Sequence, residues 1–213
     1  MAERRLREGF DGQDMFVIPR ATLGSVTEHP LIRALYPTDI GWFPEARYHY
    51  RRRENGANED HLMLCVGGHG YVVVEGEKNH LKAGQVLIIP RHLEHVYWAE
   101  HDSPWSIYWM HFRGAESASY VERSPGPGRT APVDPDTQGE AVRLFRDCLD
   151  TIGEGFTLPN LVYASQSARH ILSLLLFRNR AYPMEQRTGE IGHSLASTLE
   201  FMLETISEPL RLE

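Results

Sequence analysis

From Arg47 to Phe112 the chain is interrupted every few residues by a turn signal: Asn55-Gly56, Gly67-Gly68, Glu75-Gly76, Ala83-Gly84, Pro90 and Asp102 to Pro104. Such breakers leave no room for a helix of ordinary length. The runs between them suit strands instead. Arg47 to Arg53 alternates aromatic and basic residues, Leu62 to Val66 is apolar, and Tyr71 to Glu75 is rich in valine. Val86 to Pro90 leads into Leu93 to Trp98, and Trp105 to Phe112 closes the series. Strands spaced roughly 8–12 residues apart with turn signals between them predict an all-β barrel or sandwich.

The pattern changes near Arg123. Ser124 to Gly139 holds Pro125, Pro127, Pro132 and Pro135 together with Gly126, Gly128 and Gly139, and reads as a linker or loop. Helical periodicity follows. Ala141, Leu144, Phe145, Cys148, Leu149 and Ile152 recur every three or four residues until Gly153 and Gly155. A second helix is predicted over Pro159 to Arg178, and Leu174, Leu176 and Phe177 make its end apolar nearly all round. A helix apolar on every side has to be covered on every side. The barrel can cover one face, and a partner subunit or the rest of the same chain the other. A third helix is predicted over Glu190 to Ile206.

Charge and composition narrow the function. The 22 Lys+Arg against 29 Asp+Glu give a formal net charge of -7, the wrong sign for a chain that grips nucleic acid by itself. Cys65 and Cys148 lie in apolar patterns outside any CxxC, which reads as buried thiols in a reducing compartment. Met1 to Asp14 carries Arg4, Arg5 and Arg7 without an apolar core, and Leu172 to Phe177 is too short to span a bilayer, so a soluble cytoplasmic protein is expected.

Eight of the 11 histidines fall in the strand-rich half: His49, His61, His69, His80, His92, His95, His101 and His111. A metal-binding barrel needs two histidines one residue apart, a carboxylate soon after and a third histidine on a distant strand. His92 and His95 have the wrong spacing, His61 and His69 lack the close partner, and Glu59-Asp60 is expected in a polar turn, so no metal is assigned. Ser106, Ser124 and Ser194 sit in no nucleophile motif, and Gly67 to Gly70 is explained by a hairpin turn. Catalytic residues are therefore not assigned either. What remains is a face shared by Trp105, Ile107, Trp109 and His111, with His95 and Tyr97 sharing a face on the strand before. Aromatic rings with Arg and His donors suit a neutral polyol. The plainer alternative is that these rings simply fill the barrel.

Leu62 to Gly70, Ala83 to Pro90, His95 and Pro104 to Arg113, in that order and spacing, resemble the N-terminal cupin sensor domain of AraC-type transcription regulators. Gly84, Pro90 and His95 match a cupin signature in which His92 takes the usual glycine position, while Tyr36 to Pro44 and Tyr48 to Arg53 match a branch associated with sugar utilisation. The resemblance implies a fold that is mainly β with C-terminal α. Its parts would be an N-terminal arm (1–20, with Phe16 to Arg20 folding over the ligand), a cupin-like jelly-roll barrel (21–122), a linker (123–139), an antiparallel helical dimerisation segment (140–182) and the start of a truncated helix-turn-helix region (190–213). It also implies a non-enzymatic homodimer that senses a small molecule, a sugar or sugar derivative, and meets operator DNA only through a missing C-terminal domain. No cofactor and no membrane partner are implied. Family ligand contacts carry over to Arg53, Tyr97 and Trp109, and to Thr38. A histidine contact falls on Ile107, a departure that removes a donor, with His95 and His111 able to supply the lost polarity. The alternatives from other classes are a metal-dependent cupin enzyme, such as a sugar isomerase or dioxygenase, and a plugged barrel used only as a scaffold.

Overall fold

A computed structural model of the chain describes residues 5–181. Ten strands form two antiparallel sheets, and the helices follow or interrupt them. The larger sheet has the order β1 (Asp14–Val17), β2 (Tyr36–Phe43), β9 (Ser106–Arg113), β4 (Asp60–Gly67), β7 (Gln85–Ile89) and β10 (Thr130–Pro132). The smaller has the order β3 (Tyr50–Arg53), β8 (His95–Ala99), β5 (His69–Val74) and β6 (Glu77–Lys82). The predicted architecture, mainly β with a cupin-like roll and C-terminal helices, is the one observed.

Burial patterns show why the two sheets differ. Along β5, Gly70, Val72 and Val74 are buried and alternate with less buried His69, Tyr71 and Val73, as in a sheet with one wet face. β4 and β9 are buried on both faces. One face of β9, with Ile107 and Trp109, joins the core between the sheets along with Val72, Val74 and Tyr97. The other face lies under α3 (Pro135–Gly153), where Tyr108 stacks on Phe145 with ring centroids 5.4 Å apart and accepts a hydrogen bond from Arg146 Nε at 2.9 Å.

The helical half differs from expectation at its start. Ser124 to Gly139 is not a plain linker. α2 (Ser117–Arg123) precedes it, β10 pairs with β7 inside it, and α3 already begins at Pro135. Asp134 caps α3 by accepting from the Thr137 amide, with proline in the first turn where its missing N–H costs nothing. α4 (Leu158–Ser173) continues into a π-helical turn, Leu174–Arg178. Ile171, Leu172, Leu174, Leu175 and Leu176 are all buried within the single chain, so no second subunit is needed to cover them. Leu158, Tyr163 and Phe177 remain exposed. The predicted helix over 190–206 and the helix-turn-helix start at 190–213 lie outside the described residues.

Three further expectations are corrected. Gly67 to Gly70 is not a hairpin, because β4 and β5 belong to different sheets. Gly68 takes φ +59°, and a Cβ there would sit 2.2 Å from the Pro104 carbonyl oxygen, so the crossover requires glycine. Asp60 is not in a polar turn. It opens β4, is buried, and accepts hydrogen bonds from the Arg91 amide and guanidinium at 2.9 and 3.0 Å. The segment Phe16 to Arg20 is not a free arm, since Phe16 pairs with Ile40 in the sheet, and Arg20 starts a short helix, α1 (Arg20–Val26).

Candidate effector pocket

β3 and β8 pair so that Arg51 lies opposite Tyr97 and Arg53 opposite His95. Alternation aims both arginines toward the space between the sheets, while Arg52 points outward to Glu54 and Glu94. Arg53 Nη1 donates to the Tyr97 hydroxyl at 3.2 Å and lies 3.4 Å from His95 Nε2. His95 Nδ1 is 2.8 Å from the Leu93 carbonyl oxygen, which can only accept, so Nδ1 carries the proton. Burial, together with the Arg53 charge and against the pull of that carbonyl, lowers the His95 pKa to about 4. The ring is therefore neutral at pH 7, and its free lone pair faces the guanidinium.

The opposite wall comes from the larger sheet. Asp39 pairs with His111 across β2 and β9, and His61 pairs with His111 across β4 and β9. His61 and His111 stack with centroids 3.9 Å apart and planes 21° from parallel. His111 Nδ1 lies 3.2 Å from Asp39 Oδ2, and the Thr38 hydroxyl donates to the same oxygen at 2.7 Å. Burial works to raise the Asp39 pKa, but His111, Thr38 and Arg53 together outweigh it and hold the carboxyl below its ordinary value. The ladder shifts between Pro37 and Asp39, and that bulge puts Thr38 beside the carboxylate.

The floor is aromatic. Trp109 lies opposite Gly41, where a Cβ would come within 2.5 Å of the indole, so the ring rests directly on the glycine backbone. Phe43 sits 5.1 Å from Trp109, centroid to centroid. His49 is buried and accepts from Trp105 Nε1 at 3.1 Å, and burial first, then the Arg51 and Arg53 charges, lower its pKa to about 3. These walls enclose a cavity of about 130 Å³. An engineered apolar void of ~150 Å³ holds a benzene ring, so this one takes a group of about six non-hydrogen atoms. Arg7, Glu8, Met15 and Val17 from the N-terminal segment line the same space. That segment is tied down where Leu6 exchanges backbone hydrogen bonds with Tyr48 and Tyr50 at 2.9 and 2.8 Å.

Of the residues predicted from sequence, Arg53, Tyr97, Ile107, Trp109 and His111 meet in this cavity. Ile107 contributes apolar wall. His95 stands behind Arg53 and Tyr97 and is not itself a lining residue, and Thr38 lines the outer groove. Asp39, Arg51, His49, His61 and the N-terminal pair Arg7 and Glu8 were missed. Alternation along the predicted strand Arg47 to Arg53 already held Arg51, which shares its face with Arg53. His61, His95 and His111 come together although their spacing gave no sign of it. Stacked rings cannot aim their nitrogens at one point, and among the described residues no three His, Cys, Asp or Glu side chains are grouped to hold a metal ion. No described helix is long and apolar enough to cross a membrane.

Residues 43–177 match the family model described as AraC-like ligand binding domain. The MmsAB operon regulatory protein of Pseudomonas aeruginosa is 32% identical over 163 residues, which cover 74% of this chain and 52% of that protein. The lactose operon transcription activator of Staphylococcus xylosus is 31% identical over 62 residues, 29% of this chain and 22% of that protein. A solved structure of a cupin 2 conserved barrel domain protein from Leptotrichia buccalis is 12% identical, covers 53% of this chain and 48% of its own, and superposes with a TM-score of 0.31. The chain thus spans about half the length of the first of these relatives and less of the second. With 135 residues of the chain under the family model, the assignment is plain: it belongs to the AraC-like ligand-binding domain family.

Proposed function

We propose that this chain is the effector-sensing part of an AraC-type transcription regulator and that it binds a sugar or sugar derivative in the cavity between Arg53, Tyr97 and Trp109. The observation that carries the reading is that cavity, with its aromatic floor, polar walls and N-terminal cover. An indole face against C–H groups, with Arg, His and Asp partners for hydroxyls, is the chemistry of polyol recognition. The two relatives named as an operon regulatory protein and a transcription activator support regulation over catalysis. In this reading the protein works in the cytoplasm as a homodimer, with Leu158, Tyr163 and Phe177 as the exposed apolar contribution of the helical segment. DNA is contacted through residues outside the two sheets. A ligand alters DNA affinity only if it binds one arrangement of the sensor better than another. The segment from Leu6 to Val17, which lines the cavity and leads into β1, is the part whose position a ligand would bias.

Titration calorimetry with a panel of monosaccharides and their derivatives tests this. Trp109→Ala and Arg53→Ala should each weaken binding by at least tenfold, about 1.4 kcal/mol. A panel member whose affinity neither substitution changes would show that recognition happens elsewhere.

A further inference from the structure

The cavity opens into a wider groove of about 740 Å³, and the two share Val17, Asp39, Arg51, Arg53 and His111 as lining residues. Together they present Arg7, Arg20, Arg51, Arg53 and Arg113 against Glu8, Asp39 and Glu59. A chain with a formal net charge of -7 has therefore gathered a local excess of cations at one site. None of these five arginines has a carboxylate within 4.0 Å among the described residues, a state shared with Arg33, Arg47, Arg143, Arg146 and Arg180 but not with Arg52, Arg91, Arg129, Arg169 and Arg178. Arg51 and Arg53, both half-buried, stand two residues apart on one strand face. Their mutual repulsion has no neutralising partner at hand except Glu8 and Asp39, and Asp39 is already engaged by His111 and Thr38.

We propose, resting on the sensor reading above, that the effector is an anion: a small hydroxy-carboxylate such as a sugar acid, its carboxylate held between Arg51 and Arg53. Guanidinium groups match the two oxygens of a carboxylate, and a cationic funnel with low-dielectric walls concentrates anions at its mouth. Burial and then the Arg53 charge lower the Arg51 pKa, which is the signature of a cation short of a counter-charge. The hydroxyl groups of such a ligand meet the Asp39 carboxylate as acceptor and the Trp109 face as platform. Trp109 Nε1 and His61 Nε2 are buried in the wall without a hydrogen-bond partner among the described residues.

Matched pairs test the charge directly. The 213-residue chain is titrated calorimetrically, in a carboxylate-free buffer, with arabinose and arabinonate, glycerol and glycerate, and propane-1,2-diol and lactate. In at least one pair the acid should bind at least tenfold tighter than its neutral partner, and its affinity should fall as NaCl rises from about 50 to about 500 mM. Arg51→Gln should collapse the acid-to-neutral ratio to within about twofold, and Arg51→Lys, which keeps the charge but not the fork, should retain part of it. Neutral members binding as tightly as their acids, or an acid preference untouched by Arg51→Gln, overturns the anion proposal and leaves the sensor reading standing. Binding by no member of the panel up to about 10 mM overturns both.

Discussion

Gly41 carries no chemistry, yet the geometry of the pocket floor depends on it. Because a Cβ would meet three atoms of the Trp109 indole at 2.5–2.8 Å, Gly41→Ala should push the ring into the cavity and weaken effector binding by at least tenfold, with a shifted tryptophan emission as the direct readout. His92 shows the reverse situation. It holds φ +66° at the position where the family signature has glycine, and its carbonyl carbon abuts Gly56. A side chain in that region costs energy that glycine avoids. His92→Gly should stabilise the fold by about 0.5–1 kcal/mol, read as a rise in urea midpoint at unchanged slope. Single residues were legible in the sequence where alternation and family resemblance agreed, as for Arg53, Tyr97 and Trp109. Asp39 was hidden because the bulge at Thr38 breaks the period of two on β2. His49 and His61 were hidden because their partners, Trp105 and His111, are 56 and 50 residues away, and only the strand register brings them together.

Among the elements, the breakers located β4, β5, β7, β8 and β9, since an apolar run between two turn signals has few other options, whereas β1 and the inner strand β2 lie upstream of the breakers and were not assigned. β6 escaped because its sequence, Glu77 to Lys82, is polar: it is the edge of the smaller sheet and buries little besides Leu81. β10 escaped because it is three residues long, carries Pro132, and exists only by pairing with the far edge of the larger sheet. The next three residues matter more than composition indicated. The Asp134 carboxylate accepts from the Thr137 amide and hydroxyl and from the Arg180 amide, so it caps α3 and also ties down the residues after the π-helical turn. Those bonds, with the Thr137 amide foremost, hold its pKa below the ordinary value. Asp134→Ala should cost about 1–2 kcal/mol in thermal or urea unfolding, and Asp134→Asn or Asp134→Ser should recover much of it by restoring a cap acceptor.

At the scale of the whole molecule, pH separates two accounts of stability. A chain with a net charge of -7 at pH 7 and a pI of about 5.9 loses its self-repulsion on mild acidification, and by that argument alone should be most stable near its pI. The buried imidazoles predict the opposite. His49 and His95 are lowered to about 3 and about 4, and His61 well below its ordinary value, chiefly because burial disfavours the charged ring. In the unfolded chain each would titrate near the ordinary histidine value of 6.5. Between that value and the folded pKa the unfolded state binds more protons, so stability rises with pH and is lost as pH falls. Each histidine contributes a slope of about 1.4 kcal/mol per pH unit, and three acting together remove roughly 3–4 kcal/mol between about pH 6 and about pH 5, a large part of a typical domain's 5–15. Above about pH 7 these groups are neutral in both states and the curve should be flat with respect to them. Urea unfolding from pH 4.5 to 8 distinguishes the accounts: the histidines place the loss of stability already above pH 5.9, whereas a maximum near 5.9 would mean that these rings take up protons while folded. His49→Gln, which keeps an acceptor for Trp105 Nε1, should lower overall stability through lost ring contacts with Phe10 and Phe43 but flatten the acid slope by one histidine's share.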